Sequence, residues 1–283
     1  MKNIIKVLGF VALVVIIGFS FASCDEAEPG GNLGGNSGGK KVTKEFNEPG
    51  VTYDIIIGAA DGISDGTNVT VEVFAIGGGG GGQGGHRKAY MQGLTGTRYE
   101  SGRGAGGGGG ATAYVKFEAV SPVMFRFVTV GDRGNAGAAF DEGVGGSWRA
   151  GSAGTAGGQT RVSYLDDEKG IDFLMDANGG GGGGGSNQNV TGGAGGTASL
   201  SIADLNVLLA SGFAAGQKGA DGRHNVQSTD DHGKGGGLGG FNEGSVTNFL
   251  NYGLGGDGGY GNATIGSMLG FSGCVIIVVT VSE

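Results

Sequence analysis

The sequence predicts an all-β fold, a β-sandwich of jelly-roll-like layout, from three observations. Short segments rich in Val, Ile, Phe and Tyr recur along the chain, and several alternate apolar and polar residues at period two. Glycine runs punctuate those segments instead of separating whole domains. The run at 77–82 follows the alternating stretch 69–76, the run at 106–110 precedes 113–117, and the run at 179–185 follows 171–175. Only residues 204–210 suit a helix, of about two turns.

The strand segments fall at 51–57, 68–76, 111–119, 124–130, 160–165, 171–176, 197–202 and 274–281. In the fourth, Phe125, Phe127 and Thr129 alternate with Met124, Arg126, Val128 and Val130, which predicts two opposite faces. The last is almost entirely apolar, as expected of a central strand covered on both sides.

Glycine supplies 71 of 283 residues, and there are only three prolines. Without a chain-wide Gly-X-Y period this is not collagen. The clusters of aromatic and β-branched residues set it apart from disordered chains. Ordering glycine costs roughly 0.5–1 kcal/mol more per residue than alanine. Over the three long runs this approaches the net stability of a domain, about 10 kcal/mol. An ordered run must therefore gain something. An extended threefold helix of the polyglycine II kind offers that gain. It rises about 3.1 Å per residue, makes no internal hydrogen bonds, and leaves its N–H and C=O groups free to join neighbouring helices. The alternative is a set of mobile loops at one end of the sandwich.

Residues 1–23 read as an export signal. Lys2 and Lys6 precede an apolar stretch too short for an ordinary membrane span. Phe21-Ala22-Ser23-Cys24 resembles the bacterial lipobox, with Phe21 in place of the usual leucine. The resemblance implies that Cys24 is acylated and anchors the chain in a lipid bilayer. A plain secretory signal and an uncleaved anchor are the other readings. Residues 24–45 read as a flexible Gly/Asn-rich tether, and 46–283 as a glycine-rich β domain. With Cys24 lipidated, Cys274 has no partner for an intrachain disulfide. Loss of Lys2 and Lys6 takes the formal charge from −8 to −10, which argues against nucleic-acid binding.

Phe46-Asn47-Glu48-Pro49-Gly50-Val51, then 71–76 running into glycine, resembles the opening of the glycine-rich domain of phage tail-fibre and adhesin proteins and of bacterial surface proteins. Residues 104–115 with 125–131, then 195–200 with 209–212, and finally 270–273 before the last strand, are similar to its later units in order and spacing. Residues 58–67 and 159–190 are insertions relative to that pattern. The resemblance implies a sandwich with a polyglycine bundle, used for structure or adhesion and without catalytic residues.

The chemistry of the chain points the same way. His224, Asp230, Asp231 and His232 match no metal-ligand spacing. Residues 166–170 read as a charged hairpin turn, with a weak calcium loop as the other reading, and 255–260 lack the repeat of a calcium nonapeptide. No nucleophile elbow is present, and the abundant G-x-G-x-x-G matches open no helix. No cofactor is expected. The residues suited to ligand contact are Tyr90, Arg98 and Tyr99, between two glycine runs, and Trp148 and Arg149 in another glycine-rich loop. Packing over the bundle or the sandwich end explains them equally well. The expectation is a non-enzymatic, lipid-anchored surface or envelope protein that binds an extracellular macromolecule or glycan. A purely structural envelope component is the alternative, with a carbohydrate-active enzyme behind it.

Overall fold

The computed structural model describes residues 40–91, 97–139, 151–167, 169–185, 190–224, 233–237, 252–259 and 267–282. Their strands, in order, are β1 (Lys41–Phe46), β2 (Thr52–Ile57), β3 (Asn68–Ile76), β4 (His86–Met91), β5 (Thr97–Arg103), β6 (Thr112–Val120), β7 (Val123–Thr129) and β8 (Thr160–Asp166). After these come β9 (Ile171–Ala177), β10 (Gly184–Gly185), β11 (Val190–Thr191), β12 (Ala198–Ile202), β13 (Leu208–Ala214), β14 (Arg223–His224) and β15 (Cys274–Val281).

Two five-stranded antiparallel sheets form the sandwich, in the orders β1-β15-β3-β6-β13 and β12-β9-β8-β7-β2. In the first, β15 returns beside β3, giving a Greek-key order; in the second, β7, β8, β9 and β12 meander. Alternation along β3 sends Val69, Val71, Val73 and Ala75 into the core between the sheets. Phe117 packs there tilted against Tyr164 and edge-on to Phe173, with ring centroids 4.6 and 5.5 Å apart. The opposite face of the first sheet carries a second buried cluster of Phe74, Ile76, Tyr114, Cys274, Ile276 and Val278. β15 is thus covered on both faces, as its apolar run predicts. On the same outer face the Tyr114 hydroxyl donates to the buried Glu72 carboxylate at 2.8 Å.

The glycine runs continue the strands as polyglycine II helices, and their hydrogen bonds repeat with period three. Along 77–84, the N–H groups of residues 77, 80 and 83 donate to the carbonyls of 111, 108 and 105. Those of 78, 81 and 84 donate to 158, 155 and 152, and those of 79 and 82 to 271 and 268. These three neighbours run antiparallel. Three parallel neighbours donate in return: 180 and 183 to the carbonyls of 78 and 81, 134 and 137 to those of 79 and 82, and 256 and 259 to those of 80 and 83. The helix at 77–84 therefore sits at the centre of a hexagon. The helix at 104–111 is a second centre, bonded to 77–84, 178–181, 193–196, 217–220, 236 and 253–259.

This packing dictates where glycine stands. A Cβ at Gly80 or Gly109 would lie less than 3.0 Å from a neighbouring backbone carbonyl. The central helices meet neighbours all round and are nearly pure glycine. Peripheral helices meet them on one side and need glycine only at every third position, as at 131, 134 and 137 or 216, 219 and 222. Gln83, 1 % exposed, is the polar exception in a central helix. Its Nε2 donates to the carbonyls of Gly151 and Gly185 at 3.3 and 3.4 Å, and its Oε1 accepts from the Ala105 N–H at 3.4 Å. The bundle's gain comes from backbone bonds of about 0.5–1.5 kcal/mol net each, with Cα–H···O contacts adding to them. That matches the entropic cost of ordering each glycine.

Three local expectations need correction. Residues 204–210 are not a helix: Leu205–Val207 form one 3-10 turn, capped by the Asp204 carboxylate accepting from the Asn206 N–H, and β13 begins at Leu208. Residues 41–45 of the expected tether lie in β1, paired with β15 from Lys41 opposite Thr280 to Phe46 opposite Val275. A bulge between Phe125 and Phe127 breaks the alternation of β7, so Val123, Phe125 and Val128 are the buried residues.

Candidate functional site

The molecule has two poles. β1 starts at the sandwich end remote from the glycine helices, because Lys41 pairs with Thr280 while Cys274 adjoins the bundle. At the other pole the two central helices are joined by the hairpin of β4 and β5. β14 pairs with β5, Arg223 opposite Arg103 and His224 opposite Gly102, which makes a three-stranded sheet at the tip.

In the hairpin register Tyr90 lies opposite Arg98 and Tyr99 opposite Ala89. Trp148, Arg149 and Cys24 fall outside the described residues, as do Asp230, Asp231 and His232. The pairing brings three of the five expected contact residues into one small sheet. The hairpin itself has no counterpart among the expected strands.

Charged side chains fasten the base of the tip. Arg103, largely buried, donates from Nε to the Gly258 carbonyl at 3.4 Å and lies 3.6 Å from the Asp257 carboxylate. Asp257 also accepts from the Gly235 N–H at 2.7 Å. Asp221 accepts from Lys218 Nζ and from the Gly192 N–H, both at 2.8 Å. The Lys218 bond first, and the Gly192 amide second, hold its carboxyl below the usual aspartate range. Hydroxyls serve the same purpose elsewhere: Ser152 Oγ accepts from the Ala138 N–H at 2.6 Å, and Thr155 Oγ1 from the Asn135 N–H at 2.7 Å. These contacts satisfy N–H groups at the bundle edge, where the hexagonal packing ends.

Two hollows lie elsewhere. One, of about 320 Å³, lies on the flank of the bundle between Asn47, Arg133, Tyr252, Leu269, Phe271 and Ser272. The Tyr252 hydroxyl donates to Glu45, and burial pushes its pKa up. The other, of about 340 Å³, lies at the sandwich end beside Pro122, Met124, Tyr164 and Lys169. Among the described residues no group of three His, Cys, Asp or Glu side chains stands close enough to hold a metal ion. Where β8 turns into β9, Asp166 pairs with Ile171, the Lys169 N–H donates to Asp166 Oδ1 at 3.0 Å, and Gly170 stands at φ +67°. Cys274 is fully buried, and burial raises its thiol pKa far above the ordinary value, which leaves it unreactive. No protein-family model and no curated protein matches the chain.

Proposed function

We propose that the protein is a non-enzymatic, lipid-anchored surface or envelope protein that binds an extracellular macromolecule or glycan through the loops at the tip of its glycine bundle. The observation that carries this reading is the polarity of the fold. The chain enters the sandwich through β1 at the end remote from the bundle, and the tip lies at the opposite end of the domain. The tip carries the hairpin with Arg87, Lys88, Tyr90, Arg98 and Tyr99, a basic and aromatic set on an acidic chain. Such residues anchor binding surfaces. A rigid bundle beneath them supports their placement, because it removes the entropic cost of holding a mobile platform.

Binding of purified protein to whole envelopes and to immobilised glycans tests this. Tyr99→Ala and Trp148→Ala should each lower binding at least tenfold and leave the melting temperature within about 2 °C. If both variants bind normally, the tip is not the binding surface. If both merely lower the melting temperature, the purely structural reading replaces this one. Protease treatment of intact cells tests the anchor. Wild type should carry lipid and be digested from outside, and Cys24→Ala should lose the lipid label.

A further inference from the structure

The hollow on the flank of the bundle departs from the bundle surface beside it. On two neighbouring peripheral helices the exposed positions hold small residues, such as Asn135 and Ala138 on one and Ser152, Thr155 and Ala156 on the other. The segment at 267–273 instead exposes Leu269 (39 %) and Phe271 (45 %). Backbone bonds fix its neighbours. The Gly270 and Gly273 N–H groups donate to the carbonyls of Gly134 and Gly131, the Phe271 N–H donates to Leu254, and the Gly253 N–H donates to Ser272. Arg133, Phe271 and Tyr252 therefore come from three adjacent helices, and Asn47, just after β1, joins them in the lining. Arg133 is the one charged residue of that lining among the described residues. It is exposed, and no carboxylate among them pairs with it. The Glu45 carboxylate is already engaged, accepting from the Tyr252 hydroxyl and from Asn47 Nδ2 at 3.4 Å.

We propose that this hollow is a second binding site, separate from the tip, for a carboxylate-bearing sugar unit of an acidic glycan. Arg133 takes the carboxylate, and Tyr252 and Phe271 take the apolar face of the sugar ring. An unengaged guanidinium binds a carboxylate as a fork of two charge-assisted hydrogen bonds. Aromatic rings flanked by the Asn47 amide and the Ser272 hydroxyl suit a pyranose, which has an apolar C–H face and hydroxyls around its rim. A few placed polar groups among apolar ones are the ordinary make-up of a ligand cleft. The main chain around the hollow selects sugar over peptide. The N–H groups of residues 253, 270, 271 and 273 are all spent on bonds inside the bundle, so an extended peptide finds no ladder to join. The net charge of −8 keeps a polyanion off most of the surface, and an unpaired cation marks where it is accepted.

The test is calorimetric titration of the full chain, in detergent micelles, with oligomers of glucuronic, galacturonic and N-acetylneuraminic acid. At least one should bind, and its methyl ester, which keeps the ring and loses the charge, should bind at least tenfold more weakly. Arg133→Gln and Phe271→Ala should each lower the affinity at least tenfold. Both side chains are exposed, so the melting temperature should stay within about 2 °C. Arg126→Gln, exposed on β7, should bind as wild type does. These substitutions leave the tip intact, so full affinity in Arg133→Gln overturns the flank site without deciding what the tip binds. The proposal is also overturned if none of the three oligomers binds or if the esters bind as well as the acids. Equal affinity for acetyl-Gly-Gly-Phe with a free carboxylate, lost in Arg133→Gln, would make the hollow a peptide site instead.

Discussion

A methyl group at Gly108 would meet the backbone carbonyls of Gly193 and Ala194 at less than 3.0 Å. Neither carbonyl can withdraw without breaking the bonds that hold 193–196 in place. Gly108→Ala should therefore destabilise by about 3 kcal/mol or more, the range of overpacking with backbone shifts. Ala136→Ser, at a peripheral position, should stay within about 0.5 kcal/mol. Chemical denaturation of the two variants checks the contrast, and equal losses would mean that the central helices are not close-packed. Thr160 tests the junction of bundle and sandwich. Its Oγ1 accepts from the Gly131 N–H at 2.9 Å and donates to the Ile76 carbonyl at 2.5 Å. Thr160→Val keeps the shape, strands both partners in a buried site, and should cost about 1–3 kcal/mol. Asp221 gives a pH dependence. Its pKa is lowered in the folded state, so its contribution is present above the ordinary value of 3.8 and is lost as pH falls through the lower folded value. Protection of the Gly192 amide from hydrogen exchange should fall in that acid range in wild type. In Asp221→Ala, which leaves no acceptor, it should be weak already at neutral pH.

The strands that the sequence made legible are those whose side chains enter the core. β3 and β15 fall at the expected residues, and β2, β6, β7, β8, β9 and β12 within a residue or so at either end, because burial on one or both faces writes a hydrophobic pattern. The missed strands lack that imprint. β4 and β5 pair with each other beyond the end of the bundle, and their sequences are polar. β1 has a regular alternation, Lys-Val-Thr-Lys-Glu-Phe, but follows directly on a glycine-rich stretch whose composition it partly shares. In β13 an apolar run looked helical because the 3-10 turn and the bulge after Leu208 compress its spacing. The bundle's periphery was readable in principle. Gly131, Gly134 and Gly137, then Gly216, Gly219 and Gly222, repeat at the three-residue period of one buried face, while the unbroken central runs report neighbours on every side. Counting glycines per turn thus gives the position of a helix in the lattice. The tip residues Tyr90, Arg98 and Tyr99 are marked by their chemistry, but their pairing in one ribbon depends on a register that composition does not encode.

At the scale of the whole molecule, the two halves bury different materials. The sandwich hides hydrocarbon: Phe117, Phe173, Met175 and their neighbours are almost fully removed from solvent. The bundle hides peptide groups, since its central helices have hardly any side chains. These two kinds of surface act on heat capacity with opposite sign. Exposing apolar area raises it by about 0.45 cal/mol/K per Å², and exposing polar area lowers it by about 0.26. Calorimetry should therefore give an unfolding heat-capacity change, per folded residue, below the roughly 12–15 cal/mol/K of ordinary domains. A value inside that range would mean that the glycine helices contribute no cooperative unfolding of their own. A small heat-capacity change flattens the curve of stability against temperature. Hydrophobic cores weaken on cooling because the gain from burying hydrocarbon fades, and a layer held by amide-to-carbonyl bonds escapes that decline. The lattice of bare backbone that positions the tip thus also leaves the fold little weakened by cold.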